Sequence, residues 1–328
     1  MSAQDRIRVG VVGVGVLGSH HTRIYSGLPQ VELVGVADPI PERRRELASR
    51  YDCRSWPDQG PLLDRVDAVS VAVPTSLHAE VALPFLKRGI HVLVEKPIAE
   101  DVESATRMVD EARGAVLHVG HSERFNPAVL AIRPFVKTPR FFEVHRLSVL
   151  TPRSLDVDVV LDLMIHDLDL ITQMVRSPIR EIRAVGIPVL TPRIDIANAR
   201  LEFEDGCVAN LTSSRVSKQK MRKLRFFQAD DYISLDLDRQ VAEVSSMVEV
   251  NGSKRIVNRS PRVTQEEPLK MEITAFLDEI AGHHGQAREI RRGCSGREGV
   301  RVLDLALEIL DRMTVAGRHG SSISGRTR

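Results

Sequence analysis

Aromatic residues are scarce in this chain: Phe, Trp and Tyr make up 4% of 328 positions, which argues against a base-stacking surface for single-stranded nucleic acid. Net charge is also small. The 46 Lys and Arg against 44 Asp and Glu leave +2, so no global field recruits nucleic acid or a membrane surface. The three cysteines, Cys53, Cys207 and Cys294, lie far apart and form no C-x-x-C pair, which fits a reducing cytosol and no structural zinc. No apolar run approaches the length of a membrane helix. The opening Met-Ser-Ala-Gln-Asp-Arg holds no apolar signal-peptide core. The expectation is a cytoplasmic globule. With 42% hydrophobic residues, the chain has the length for two domains with separate cores.

What is present is a change of pattern. Up to about residue 120, apolar strand-like runs at 7–12, 31–37, 68–73, 90–94 and 115–119 alternate with helical stretches at 16–27, 41–51, 77–88 and 101–113. Near-continuous apolar strands between amphipathic helices describe a parallel sheet covered on both faces. Pro41 suits the first turn of its helix, where a missing N–H costs little. Beyond this point a helix at 127–136, a strand at 140–149 and a long helix at 159–175 precede strand after strand: 179–189, 197–203, 207–213, 223–228, 232–236 and 241–250. Glu204-Asp205-Gly206 has hairpin-turn chemistry, and strands without intervening helices imply a mainly antiparallel sheet. A last helix is expected at 298–314, with Val302, Leu305, Ile309 and Met313 on one face. The expected class is α/β: an N-terminal Rossmann doubly wound parallel sheet (1–121) and a C-terminal α+β domain with a large, mainly antiparallel open sheet (122–316). A Gly, Ser and Arg tail at 317–328 is expected to fray.

Gly13, Gly15 and Gly18 follow a strand and open a helix. The first permits the tight turn, the second lets the backbone approach a pyrophosphate, and the third lets helix and strand pack closely. With Val16 and Leu17 they place the helix N-terminus, with its free N–H groups and dipole, at the phosphates. Asp38 ends the second strand about 20 residues after the turn, where the dinucleotide fingerprint has its ribose-binding acid. Such an acid repels a 2′-phosphate, which favours NAD over NADP. Arg43, Arg44 and Arg45 close by are read as a solvated helix face.

The third strand runs into Val73-Pro74-Thr75-Ser76-Leu77-His78. Pro74 and Thr75 stop it at the crevice, and His78 in the next helix is either a packing histidine or a cofactor contact. His20 and His21, after the glycine turn, are read as structural or peripheral. The fourth strand runs into Glu95-Lys96-Pro97, and a Lys at a strand's carboxyl end lies where ligands bind such sheets. Asp162 and His166 are four apart and share a helix face. They are either a surface pair or a base with its orienting carboxylate. No H-E-x-x-H and no third ligand accompany them, so no metal is expected. In oxidation of an alcohol by NAD, hydride leaves carbon as the hydroxyl proton finds an acceptor, and His suits that task near neutral pH. A nearby Lys ammonium stabilises the developing alkoxide.

In that order, Gly13-x-Gly15-x-x-Gly18, Val73-Pro74-Thr75-x-x-His78, Glu95-Lys96-Pro97 and Asp162-x-x-x-His166 resemble the motifs of the Gfo/Idh/MocA oxidoreductases, over residues 5 to 315. These are NAD(P)-dependent enzymes acting mostly on sugars and cyclitols. The resemblance implies a catalytic set of Lys96, Asp162 and His166, with His166 as base, Asp162 as its partner and Lys96 as the cation of the proton network. Glu95 and Pro97 shape the loop beside the nicotinamide. It also implies a dimer or tetramer through the open sheet. A non-catalytic dinucleotide or sugar sensor is the contrasting class on this fold.

Two further stretches bear on the substrate. Gly120-His121-Ser122-Glu123-Arg124-Phe125-Asn126-Pro127 crosses the domain boundary. Arg124 and Asn126 are donors for sugar hydroxyls, although helix capping explains Asn126 equally well. The segment from Ser213 to Arg225 concentrates six cations, Lys218 and Arg222 among them. It is either a solvated strand edge or a diphosphate-capturing surface. Together with Asp162-Leu163-Met164-Ile165-His166-Asp167-Leu168-Asp169-Leu170, these stretches resemble the family branch that oxidises the C3 hydroxyl of UDP-N-acetylglucosamine for amino-sugar and lipid A precursors. Inositol and free-sugar dehydrogenases share the catalytic residues and differ in pocket shape.

Overall fold

The computed structural model describes residues 6–151, 157–282 and 292–315; the tail expected to fray lies outside them. The chain forms two compact units. One comprises the residues up to Arg133 with Thr264–Asp304, the other Pro134–Val263 with the segment beginning at Leu305.

In the first unit six strands run parallel: β1 (Ile7–Val12), β2 (Val31–Ala37), β3 (Arg54–Trp56), β4 (Ala68–Val71), β5 (His91–Glu95) and β6 (Leu117–Gly120). Helices α1 (Val16–Ser26), α2 (Pro41–Arg50), α3 (His78–Lys87) and α4 (Val102–Glu111) connect them. Asp101 caps α4, accepting from the Ser104 amide at 2.7 Å. The order β3-β2-β1-β4-β5-β6 changes direction between β1 and β4, which makes the carboxyl ends of those strands the ligand-binding crevice. Successive residues of β4 and β5 are buried, as a sheet covered on both faces requires. Helix α5 (Pro127–Ile132) stops before Pro134 rather than running to 136, since a proline in a helix interior removes a hydrogen bond and clashes with the preceding turn.

The second unit is a nine-stranded sheet. It contains β7 (Pro139–Leu147), β8 (Ile179–Ile187), β9 (Ile196–Phe203), β10 (Val208–Ser214), β11 (Met221–Gln228), β12 (Asp231–Asp236), β13 (Val241–Val250) and β14 (Ser253–Arg259). The ninth strand is β16 (Met313–Val315), and neighbours are antiparallel except β7 beside β10 and β8 beside β16. Burial alternates along β7, β9, β11 and β12, so one face is apolar and covered. There Phe142 and Phe226 stack across β7 and β11 at 5.3 Å. Helix α6 (Ile165–Met174) follows a π-helical turn at Val160–Met164 within the helix expected at 159–175.

The chain then supplies α7 (Pro268–Ile280), the short edge strand β15 (Cys294–Ser295) antiparallel to β6, α8 (Gly296–Asp311) and β16 (Met313–Val315). The last helix thus ends earlier than its periodicity predicts: Met313 and Thr314 pair with Ala184 and Val185 in the sheet. A sheet edge with unpaired backbone groups outcompetes one more helical turn. Ile273, Phe276 and Leu277 of α7 join the core formed by Val9, Val11, Ile24, Tyr25, Val36 and Leu93. Among the described residues, no helix is long and apolar enough to cross a membrane.

Candidate active site

The three glycines after β1 serve different purposes. Gly13 has φ +81°, and a Cβ there would lie 2.7 Å from the Ala72 carbonyl, so the turn needs both its left-handed backbone and its lack of side chain. At Gly18 a Cβ would fall 1.8 Å from the Gly13 oxygen, because the first turn of α1 rests on the glycine loop. At Gly15 it would meet nothing within 4 Å. That open backbone precedes a helix with no side-chain cap and no acid in its first turn. Val16 and Leu17 stand 46% and 47% exposed beside it. Open glycine backbone, uncapped N–H groups and exposed apolar side chains fit a dinucleotide pyrophosphate.

Asp38 is buried just beyond β2. Its Oδ2 accepts from the Val14 amide and its Oδ1 from the Ile40 amide, each at 2.8 Å. The acid therefore braces the glycine turn, and an ionised carboxylate retains lone pairs for a ribose. Arg44 donates to the carbonyls of Asp38 and Pro39 at 3.2 Å, while Arg43 and Arg45 are exposed.

Further along the carboxyl edge, Pro74 and Thr75 lead through a 3₁₀ turn into α3. His78 begins that helix, buried, with Nδ1 2.9 Å from the Pro97 carbonyl and Nε2 3.0 Å from that of Val73. The ring ties the end of β4 to the Lys96-Pro97 loop, and burial holds it below its usual pKa despite its carbonyl partners. Glu95 closes β5. Its Oε1 lies 3.0 Å from His21 Nε2, and its Oε2 accepts from the Lys96 amide at 3.3 Å. Burial alone would raise this carboxyl, but the His21 hydrogen bond and the nearby Lys96 ammonium outweigh it and hold it below the ordinary Glu value. A Cβ on Gly120 of the neighbouring strand would stand 3.0 Å from Glu95 Oε2, so the glycine leaves room for the carboxylate. Lys96 is half-buried at this strand end.

In the second unit Asp162 lies in the π-helical turn and His166 in the first turn of α6, both half-buried. Two anchors fix them. Asp158 accepts from the Ile194 amide through Oδ1 (2.8 Å) and from the Asp162 amide through its carbonyl (3.1 Å). Asp167, next to His166, makes a bidentate pair with Arg146 of β7, both contacts 2.8 Å, with the two side chains 2% and 3% exposed. π-Helical turns concentrate at functional sites.

The residues expected to meet substrate occupy varied settings. Arg124 is 2% exposed; it donates to the Gly293 carbonyl at 3.1 Å and lies 3.4 Å from Glu298. Asn126 caps α5 by accepting from the Ala128 amide at 3.1 Å and donates to Glu123 at 3.0 Å, which is the capping geometry its position allows. Lys218 is exposed between β10 and β11. Arg222 joins Lys220, Lys223, Arg239, Asp236 and Asp238 around a cavity of about 260 Å³, with Lys220 ion-paired to Asp238. Sequence reasoning missed Ser70 and Tyr25 and set His21 aside. The available signal was position: His21 lies three residues past Gly18, on the side of α1 that Gly18 presses against the sheet.

A parallel sheet with this strand order, a glycine turn built for pyrophosphate and a lysine at the next crevice strand define a dinucleotide-dependent oxidoreductase. The chain belongs to the Gfo/Idh/MocA family, NAD(P)-dependent dehydrogenases acting on CH–OH groups. Residues 7–121 match the family's NAD-binding Rossmann fold and residues 141–253 its C-terminal domain. The UDP-N-acetylglucosamine 3-dehydrogenase of Acidithiobacillus ferrooxidans is 38% identical over 308 residues, 92% of this chain and 96% of that protein. Its solved structure superposes with a TM-score of 0.85 and 37% identity, covering 94% and 98% of the two chains. An inositol 2-dehydrogenase of Rubrobacter xylanophilus is 32% identical over 56% of each chain. Levoglucosan dehydrogenase in complex with NADH and levoglucosan, 19% identical with a TM-score of 0.80 over 94% and 97% of the chains, shares the fold.

Proposed function

We propose that this dehydrogenase oxidises the C3 hydroxyl of UDP-N-acetylglucosamine to the 3-keto sugar. The observation that carries the reading is coverage. Similarity to the UDP-N-acetylglucosamine 3-dehydrogenase extends over 92% of the chain, whereas that to the inositol 2-dehydrogenase extends over 56%. The cavity where Lys220, Arg222, Lys223 and Arg239 outnumber Asp236 and Asp238 supports a diphosphate-bearing substrate, to which Lys218, two residues earlier in the chain, would add a further cation.

Bound NAD supplies the hydride acceptor, the C4 position of its nicotinamide. The N-terminal amides of α1 would hold its pyrophosphate and Asp38 its ribose. His166 takes the hydroxyl proton, Asp162 orients and stabilises the imidazolium that results, and the Lys96 ammonium stabilises the developing alkoxide. Arg124 and Asn126 keep the segment after β6 in shape and are proposed to contact the sugar. Pro74, Thr75 and His78 line or support the cofactor crevice. We place the enzyme in the cytoplasm as a homodimer or homotetramer assembled through the nine-stranded sheet.

The deciding experiment mixes enzyme in excess over UDP-N-acetylglucosamine with NAD and records NADH in a single turnover. Excess enzyme is needed because oxidation of a secondary alcohol by NAD is uphill at neutral pH. A stoichiometric signal that free N-acetylglucosamine does not produce supports the proposal. Reduction of NAD by inositol or a free hexose instead would keep the family chemistry and discard the nucleotide sugar.

A further inference from the structure

Beneath the Lys96 strand end runs a file of buried polar groups, three of which, Tyr25, His21 and Ser70, have no part in the proposed reaction. Tyr25 and His21 on α1, Ser70 on β4 and Glu95 on β5 are all buried. Tyr25 Oη lies 2.9 Å from Ser70 Oγ, Ser70 Oγ 2.9 Å from His21 Nδ1, and His21 Nε2 3.0 Å from Glu95 Oε1. Each hydroxyl and ring nitrogen shares a proton with the next group, and one arrangement satisfies the whole file. Burial pushes the Tyr25 phenol pKa up, so it keeps its proton. Its hydrogen-bond partner is Ser70, so the phenol donates to Oγ. The Ser70 proton then points to His21 Nδ1, which must accept. The imidazole proton is left on Nε2, aimed at the carboxylate. The groups of opposite or variable charge facing Glu95 are His21 from α1, His78 from α3 and Lys96 from its own strand end. Of these, His21 makes the direct side-chain hydrogen bond.

We infer that His21 is a positioning residue for the Glu95-Lys96 strand end: its Nε2–H holds the Glu95 carboxylate, and Ser70 and Tyr25 lock the ring in that tautomer. The inference rests on the reading that Lys96 faces the chemistry. Glu95 then presents a fixed charge beside Lys96 and receives the Lys96 amide on its second oxygen, so the lysine backbone is held from within the sheet. The tautomer matters. A ring protonated on Nδ1 alone would turn a lone pair toward the carboxylate and release the strand end. With His21→Leu the direct hydrogen bond is lost and only the Lys96 and His78 charges still oppose the effect of burial on Glu95, so the carboxyl takes up a proton at a higher pH than in the wild type. With His21→Gln the amide offers an N–H toward Glu95 and an oxygen toward Ser70, which replaces both contacts without a titrating ring.

The first test is nitrogen NMR of histidine-labelled enzyme, with the His21 signals identified by their loss in His21→Gln. The inference requires a protonated Nε2 and an unprotonated Nδ1, and a shift of the Nε2 signal in Glu95→Gln. A ring protonated on Nδ1, alone or with Nε2, overturns it. The second test is the pH dependence of single-turnover hydride transfer. His21→Leu should lose about tenfold or more of its rate at pH 6 and recover most of it by pH 9, while His21→Gln follows the wild-type profile. A loss of the same factor at every pH, which a purely structural defect would give, overturns the positioning role. If no alcohol is turned over the substrate reading fails, and the ring tautomer still decides this one.

Discussion

Glu298 offers a quantitative test of the first unit's electrostatics. Its Oε2 accepts from the Ser295 amide (3.0 Å) and hydroxyl (2.7 Å) and lies 3.4 Å from the buried Arg124 guanidinium. Burial pushes the Glu298 carboxyl up, but Arg124, the two Ser295 donors and Arg292 outweigh it and bring it from 4.5 to about 2. At 1.36 kcal/mol per pH unit, that drop corresponds to roughly 3 kcal/mol of stability at neutral pH. A carboxyl depressed in the folded state stabilises fully above its unfolded pKa and loses that contribution as pH falls toward the folded one. The stabilisation should therefore be complete above about pH 5, about 1.4 kcal/mol at pH 3 and nearly gone by pH 1. Glu298→Gln keeps the shape, removes the charge and leaves Arg124 without this carboxylate, a change expected to cost about 3 kcal/mol. Urea unfolding can be followed by fluorescence of the single tryptophan, Trp56, which sits in β3 of the same unit. The gap between wild type and variant should be about 3 kcal/mol at pH 7 and close progressively below pH 5. A gap that persists unchanged at pH 3, or one under about 1 kcal/mol at pH 7, would refute the coupling of Arg124 to an ionised Glu298.

Lys96→Met should abolish turnover while NAD still binds nearly as well, measured by NADH formation and by dinucleotide titration. His166→Asn should do the same and remove the neutral-pH ionisation from the rate profile; near-normal turnover in either would unseat its role. Gly15→Ala, where the added methyl meets open space, should leave thermal stability within about 0.5 kcal/mol yet weaken NAD binding tenfold or more. Gly18→Ala, whose Cβ would collide with the Gly13 oxygen, should lose both, with destabilisation of about 3 kcal/mol or more; equal effects at the two positions would contradict their assigned purposes. Arg146→Met should cost about 3–5 kcal/mol in thermal or urea unfolding by stripping a buried Asp167 of its bidentate partner. Arg146→Met with Asp167→Leu should recover most of that loss.

Sequence pattern located what local rules control. The parallel strands, their helices and the glycine turn were legible because period, turn chemistry and the Asp38 spacing all point the same way. Most sheet strands of the second unit were legible for the same reason, down to the limits of β13. The short edge strands β3 and β15 were not, since two or three residues carry no period and form only because a neighbour offers unpaired backbone. Helix α7 escaped because its apolar residues answer to Tyr25 and Leu93, more than 170 positions upstream. In the candidate site the residue types were legible and their partners were not. Nothing in Asp38 announces that it braces Val14, nor in His78 that its ring joins two strand ends. The same holds for His21, whose meaning depends on Ser70 and Glu95, residues brought to it by the sheet.

The return of α7 to the first unit has a consequence for how the protein is made. Ile273, Phe276 and Leu277 fill a core whose other fully buried members lie before residue 100. A fragment ending at residue 121 would therefore expose the apolar side of α1 that these residues cover. At typical synthesis speeds of about 5–20 residues per second, the roughly 130 residues between Arg133 and α7 take on the order of 7–30 s to emerge. During that interval the nucleotide-binding half waits on the ribosome with an open flank, and the second sheet is made before the first core can close. Chaperone dependence, and sensitivity to truncation near the C-terminal end, should thus concentrate in the half of the protein that is synthesised first.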